Sequence, residues 1–233
     1  MNNISIIIPY LNYENLIFNN LEKIINKINL LKLKYEIIVI NDGSTDNTTN
    51  ILKSYDIKVL KQSNKGKGAA VQNGIRNSSG DYILIQDADL EYDPKDYKKI
   101  IDIFNKNKAQ VVYGSRVLGK KRYRSDNFIS LTRVFFNHIL TILSNAFNNQ
   151  SLTDAHTCYK AFSSQLFKSI NLEENGFAFC PEITTKISNL KIQIFEVSIS
   201  YNGRNYKQGK KISYKDGIRA IYALLRYKFI KNI

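Results

Sequence analysis

Five consecutive residues carry the densest chemistry in the chain: Asp87-Ala88-Asp89-Leu90-Glu91, with a carboxylate at every second position. They follow the apolar run Tyr82-Ile83-Leu84-Ile85, which reads as a buried strand. If the extended conformation continues, all three carboxylates project to one side. Hard divalent cations take oxygen ligands, and Mg2+ commonly combines one or two carboxylates with substrate phosphates. A metal held by Asp87, Asp89 and Glu91 would neutralise a departing diphosphate and make it a better leaving group. Most Asp-x-Asp triplets are surface turns; the position of this one, at the end of a buried strand, favours the metal.

Other strand ends carry similar clusters. The β-branched run Ile4-Ser5-Ile6-Ile7-Ile8 ends in Pro9-Tyr10, and Glu36-Ile37-Ile38-Val39-Ile40 ends in Asn41-Asp42-Gly43-Ser44. Further strands are expected over 58–61 and 110–113. Helices are expected over 16–33, 45–55 (capped by Ser44 or Thr45), 69–76 and 96–105. Strand and helix alternate through this half, which predicts an α/β domain with a mostly parallel sheet and helices on both faces. Ligands of such sheets sit at the carboxyl ends of the strands, where these clusters fall. Lys65-Gly66-Lys67-Gly68 precedes a helix, and its glycines, lysines and helix N-terminus together suit an anion. The second half is less regular, with helices expected over 129–145, 166–170, 181–190 and 214–229 and a strand over 193–200.

The chain has 233 residues, 43% of them hydrophobic, and only 3 Pro, with no linker-like composition break. One domain over 1–233 is expected. Cys158 and Cys180 have neither CxxC spacing nor a His cluster and read as reduced thiols. No basic leader precedes the first strand, and no run approaches the roughly 20 apolar residues of a membrane span. A cytoplasmic location is expected. The net charge of +14 reflects either an anionic partner or a Lys-rich composition. From Tyr201 onward there are nine Lys/Arg and one acid, Asp216, and the last helix interleaves Tyr222, Leu225 and Phe229 with Arg219, Arg226 and Lys228. That stripe suits either the surface of an anionic bilayer or packing on the domain. Lys120-Lys121-Arg122-Tyr123-Arg124 forms a second basic segment. A nucleic-acid partner is not expected: no recognition motif is visible, and the acidic cluster repels a phosphate backbone. A nucleotidyltransferase shares the sheet architecture but needs a Gly-rich signature after its first strand, and Pro9-Tyr10-Leu11-Asn12 is not one.

In order and spacing, these motifs resemble the family 2 inverting glycosyltransferases of GT-A fold, and within them the dolichol- or polyprenyl-phosphate mannosyltransferase-like group. The resemblance rests on Ile7-Ile8-Pro9, on residues 36–46, on Asn64-Lys65-Gly66-Lys67-Gly68-Ala69-Ala70, on Gly80-Asp81-Tyr82 leading to Asp87-Ala88-Asp89, and on Gly114-Ser115-Arg116. It continues through 154–159, 176–182 and Arg204 with Lys210 and Lys211. It implies a GDP- or UDP-sugar donor, a divalent cation (Mg2+ or Mn2+) and a lipid-linked acceptor. By resemblance Asp42 binds the donor base, although the family more often has Asp-Asp where this chain has Asn41-Asp42. Pro9 matches a donor-pocket proline; Tyr10 stands one place early and Glu14 one place late. Lys65 and Gly66 border the nucleotide, Asp87 and Asp89 are nucleotide-sugar and metal carboxylates, and Glu91 is a further metal contact. Arg116 lies near donor or acceptor phosphates, while Arg204 and Lys210 clamp the diphosphate. The resemblance divides the chain into a nucleotide-sugar-binding half, 1–118, and an acceptor half, 119–233.

Asp154 and Glu182 bear on the acceptor. A hydroxyl acceptor needs a carboxylate to take its proton, whereas a phosphate acceptor is already an anionic nucleophile. Asp154 is the first candidate for acceptor-site residue or base and Glu182 the second, with a structural cap as the other reading of each. A polyprenyl phosphate is the favoured acceptor; a glycan or glycerolipid hydroxyl is the alternative.

Overall fold

The computed structural model of the chain describes residues 3–89, 91–120, 128–203 and 214–230. The first strand, β1 (Asn3–Tyr10), is buried on both faces, as its isoleucine-rich run, interrupted only by Ser5, predicts. Helix α1 (Ile17–Leu31) returns to β2 (Lys34–Asn41), which pairs in parallel with β1. The short α2 (Thr48–Leu52) leads to β3 (Lys58–Lys61), and α3 (Lys67–Arg76) leads to β4 (Tyr82–Ile85), parallel to β1 on its other side. A 3-10 turn at Pro94–Asp96 opens α4 (Tyr97–Asn107), followed by β5 (Val111–Ser115). The second half contributes α5 (Phe128–Asn148), β6 (Lys160–Ser163), α6 (Ser164–Ser169), α7 (Phe179–Asn189), β7 (Ile194–Ser198) and α8 (Tyr214–Leu225), which continues into a π-helical turn at Arg226–Ile230.

Among the described residues the sheet has seven strands in the order β3-β2-β1-β4-β6-β5-β7. Every adjacent pairing is parallel except those of β6, which runs antiparallel to β4 and to β5. Side-chain alternation splits the core into two layers. Ile4, Ile6 and Ile8 pack with Leu21 and Ile24 of α1 and with Ile100 and Phe104 of α4. Ile7, Ile38 and Ile85 face the opposite layer, with Val71 of α3, Phe167 of α6 and Ile183 of α7. This is the expected α/β sandwich.

Three local differences from the sequence reading have physical causes. Helix α2 is shorter than expected and is capped by neither Ser44 nor Thr45. The Asp46 carboxylate accepts from Thr48 N at 3.1 Å, while Ser44 N donates to Asn41 Oδ1 and Thr45 N donates to Asn12 Oδ1. Strand β6 was not expected at all. It is four residues long and begins with Lys160, a lysine with no solvent exposure. The Lys160 ammonium donates to the Ala155 carbonyl at 2.9 Å and lies 3.4 Å from the Tyr113 ring centroid, which compensates its burial. Burial still pushes its pKa down to about 8. Finally, β4 ends at Ile85 and the chain turns at Ala88 and Asp89, so the acidic cluster is not an extended ribbon.

Candidate active site

The chain order explains where a ligand crevice must lie. Strands β2 and β3 build outward on one side of β1, and β4 then starts on the other, so the connections leaving β1 and β4 diverge over the carboxyl edge of the sheet. Tyr10, Asn41 and Ile85 end the three central strands there.

Asp42 follows β2 and is 4% exposed. Its Oδ1 accepts from Gln62 Nε2 at 2.8 Å and from Lys65 N at 2.9 Å, and its Oδ2 accepts from Gly66 N at 2.8 Å. The carboxylate therefore fastens the Lys65-Gly66 loop to the end of β2. Asn41 closes the same turn with an amide that accepts from Ser44 N and donates to Thr49 Oγ1 at 2.8 Å. On its far side the loop is pressed against residues 174–176. Gly66 has φ +102°, and a Cβ there would lie 2.6 Å from the Asn175 carbonyl oxygen. A Cβ on Gly68 would lie 2.1 Å from the Glu174 oxygen.

Lys67, the first residue of α3, forms an ion pair with Asp87 Oδ1. Burial by itself would lower the Lys67 pKa, but the Asp87 charge holds it well above the usual range. Asn20 of α1, fully buried, donates to the Asp87 carbonyl at 2.8 Å and the Asp89 carbonyl at 3.4 Å, which clamps the turn. Ala88 packs into the core. Asp89 Oδ1 accepts from Glu91 N at 3.2 Å, and Glu91 Oε2 accepts from the Tyr201 hydroxyl at 2.9 Å. Among the described residues no three His, Cys, Asp or Glu side chains converge into a ready-made metal cage. The expectation that Asp87, Asp89 and Glu91 share one extended face is thus corrected: the turn separates them. The donor set still suits a hard cation that takes one or two carboxylates and completes its shell with diphosphate oxygens and water.

Arg116, beyond β5, meets Asp154 in a bidentate pair, Nε to Oδ2 at 2.7 Å and Nη2 to Oδ1 at 2.8 Å. Its guanidinium carbon lies 5.2 Å from the Tyr201 ring centroid. Burial would raise the Asp154 pKa, but Arg116 holds it below the usual carboxylate range. Glu196 of β7 supports this loop, accepting from Thr153 N at 2.7 Å and Asp154 N at 3.0 Å. Glu182 in α7 is fully buried. It accepts from Glu173 N at 2.8 Å and Glu174 N at 2.9 Å and pairs with Lys186 at 2.9 Å. Its oxygens face the segment that supports Gly66 and Gly68, so it shapes the 65–68 loop from behind.

The remaining expected residues are more dispersed. Pro9 lies in β1 opposite Ile40. Tyr10 is buried with its hydroxyl 3.4 Å from Thr49 Oγ1, so it packs under α2. Glu14 is exposed and its Oε2 accepts from Asn47 N at 2.9 Å, tying the loop after β1 to the start of α2. Arg204 and Lys210 lie outside the described residues, as does the basic segment 121–124. Gln62, Lys67, Asn20, Glu196 and Tyr201 were not singled out individually from sequence. Asn20 left a usable signal, a polar residue on the apolar stripe between Ile17 and Ile24. Glu196 and Tyr201 left none, because their partners are distant in the chain.

A mostly parallel sheet with acidic and glycine-rich loops over its carboxyl edge is the architecture of the GT-A glycosyltransferases. Residues 5–170 match the model of glycosyl transferase family 2, and the chain belongs to that family. It is 33% identical over 190 residues to a dolichyl-phosphate beta-glucosyltransferase of Dictyostelium discoideum, an alignment covering 73% of this chain and 56% of that protein. It is 27% identical to a UDP-N-acetylglucosamine–dolichyl-phosphate N-acetylglucosaminyltransferase of Methanococcus voltae, covering 98% and 97% of the two chains. Among solved structures it superposes with a TM-score of 0.72 on glucosyl-3-phosphoglycerate synthase of Mycobacterium tuberculosis in complex with Mn2+, UDP and product. Identity there is 20%, with 99% of this chain and 81% of that one covered. The chain thus spans little more than half of the first of these relatives and nearly all of the second.

Proposed function

We propose that this glycosyltransferase carries out inverting, metal-dependent transfer of a sugar from a GDP- or UDP-sugar to a lipid-linked acceptor, a polyprenyl phosphate. The acceptor assignment is carried by the condition of Asp154. Its carboxylate is locked in a bidentate pair with Arg116 and is held below the ordinary carboxylate range, which makes it a poor proton acceptor. Glu182 has both oxygens engaged in the interior. A hydroxyl acceptor would need one of them as base; a phosphate needs none, only cations that hold it. Arg116, oriented by Asp154, is the cation proposed for that task. Dolichyl phosphate in the names of the relatives from Dictyostelium and Methanococcus supports the same reading.

In this reading residues 1–118 bind the nucleotide sugar and 119–233 the acceptor. A divalent cation, Mg2+ or Mn2+, would take one or two carboxylates from the set Asp87, Asp89 and Glu91 and complete its shell with the diphosphate, neutralising the leaving group. Asp42 holds the Lys65-Gly66 loop at the nucleotide, Asn20 holds the acidic turn, and Arg204 with Lys210 clamp the diphosphate. Contact with an anionic membrane through α8 at the cytoplasmic face brings the protein to its acceptor. No helix among the described residues is long and apolar enough to cross a membrane.

The test supplies the purified protein with Mn2+, a panel of labelled UDP- and GDP-sugars, and either a polyprenyl phosphate or a glycan or glycerolipid acceptor. A sugar phospholipid labile to mild acid is expected. Product from the hydroxyl acceptors alone would overturn the assignment.

A further inference from the structure

The ion pair between Lys67 and Asp87 makes a prediction about how the site is loaded. Lys67 is held on both sides. The backbone immediately before it is bonded to Asp42 through Lys65 N and Gly66 N, and Gly66 and Gly68 press against residues 174–176. Ala69 N donates to Asn175 O at 3.1 Å. The ammonium also lies 5.9 Å from the Phe177 ring centroid. Asp87 is equally constrained, because Asn20 grips its carbonyl. The two side chains are only 19% and 15% exposed. A carboxylate expected to meet a metal is thus already paired with a cation belonging to the protein.

We propose that Lys67 is a resident counter-cation for Asp87: its ammonium occupies the charge position at the end of β4 until a metal–nucleotide complex arrives, then yields Asp87 to the metal and turns to the donor diphosphate. This rests on the donor-site reading above. The physical reason is the cost of leaving a largely desolvated carboxylate without a partner, which the ammonium offsets. The same ammonium competes with free metal. Metal without nucleotide therefore binds weakly, whereas the diphosphate offers Lys67 a new partner and removes the competition.

The test is Mn2+ binding followed by electron paramagnetic resonance, alone and with UDP or GDP, on wild type, Lys67→Gln and Lys67→Arg. Lys67→Gln is expected to bind Mn2+ alone about tenfold more tightly than wild type, since a unit charge at contact distance has been removed. It is expected to bind the nucleotide more weakly at saturating Mn2+. Lys67→Arg, which keeps the charge, is expected to bind Mn2+ alone as wild type does. A merely structural lysine would give no gain in metal affinity. Should Lys67→Gln not fold, amine labelling of wild type read by mass spectrometry takes its place: Mn2+ alone is expected to accelerate acylation of Lys67 and nucleotide to reverse it. Unchanged or weaker Mn2+ binding by folded Lys67→Gln, or labelling indifferent to Mn2+, overturns the role of Lys67 while leaving the donor site standing. Failure of the wild type to bind Mn2+ with either nucleotide overturns both.

Discussion

Asp42 shows how much one carboxylate can organise. Three donors converge on it, two of them backbone N–H groups of the Lys65-Gly66 loop proposed to border the nucleotide. Replacing it with Asn turns one acceptor oxygen into a donor that confronts an N–H group. A buried donor left unsatisfied costs about 1–3 kcal/mol. Asp42→Asn is therefore expected to weaken nucleotide binding by about tenfold or more, measured by calorimetry with UDP and GDP in Mn2+. Binding equal to wild type would show that the loop does not depend on Asp42. His156, beside Asp154, is a second residue with a readable consequence. Burial, then the nearby Lys160 charge, push its pKa from 6.5 to about 4, and the ring is neutral at physiological pH. Between those two values the unfolded chain binds more protons than the folded one. Stability contributed by the neutral ring is complete above pH 6.5 and is lost as pH falls through 4. Thermal melts from pH 4 to 7 should rise less steeply for His156→Gln than for wild type; parallel curves would contradict the shift.

The contact between the start of α3 and residues 174–176 links the first half of the chain to the second. Gly68→Ala would drive a methyl group to 2.1 Å from a carbonyl oxygen, with nothing flexible to yield. The expected cost is about 1–3 kcal/mol of stability, together with weaker donor binding, because the displaced loop also carries Lys65 and Gly66. Gly176→Ala is the control, since a Cβ there meets nothing within 4 Å, and a change within about 0.5 kcal/mol is expected. Denaturant melts of the two variants decide it, and equal values would remove the loop contact from the account. Much at this scale was legible in sequence. The isoleucine run of β1 and the 3.6-residue period of α1 report burial through local pattern. Strand β6 was not legible. Its lysine is tolerated inside only because Tyr113 and the Ala155 carbonyl, brought in by other segments, meet the ammonium.

Over the whole molecule the excess positive charge acquires a direction. Helices α5 and α8 pack on α7 and present large apolar side chains outward, among them Phe136 at 64%, Ile218 at 64% and Phe229 at 66% exposure. Arg219 and Lys228 lie on the same C-terminal segment, while Arg226 there is paired with Glu173 and Glu174. An exposed apolar surface edged with cations suits the headgroup region of an anionic bilayer. The double variant Ile218→Ser/Ile230→Ser, at residues 64% and 75% exposed, is expected to lose most recovery with anionic liposomes in flotation while its melt stays within about 0.5 kcal/mol of wild type. Wild-type binding is expected to fall at high salt. Equal unbound fractions at low and high salt would rule out electrostatic contact.

By itself, the sequence determined the class of fold, the family, and the strand ends that carry the polar clusters. Those features are written in local periodicity and in motifs of adjacent residues, and short-range backbone geometry is enough to decode them. Only the tertiary structure decided what each acid is engaged with. Asp87, the residue most readily taken for a metal ligand, is paired with Lys67, Asp154 with Arg116, and Glu91 with Tyr201. In each pair the partner comes from another element, 20, 38 and 110 residues away in sequence. No local pattern encodes such pairings, because the electrostatic environment of a side chain is set by what the folded sheet brings beside it.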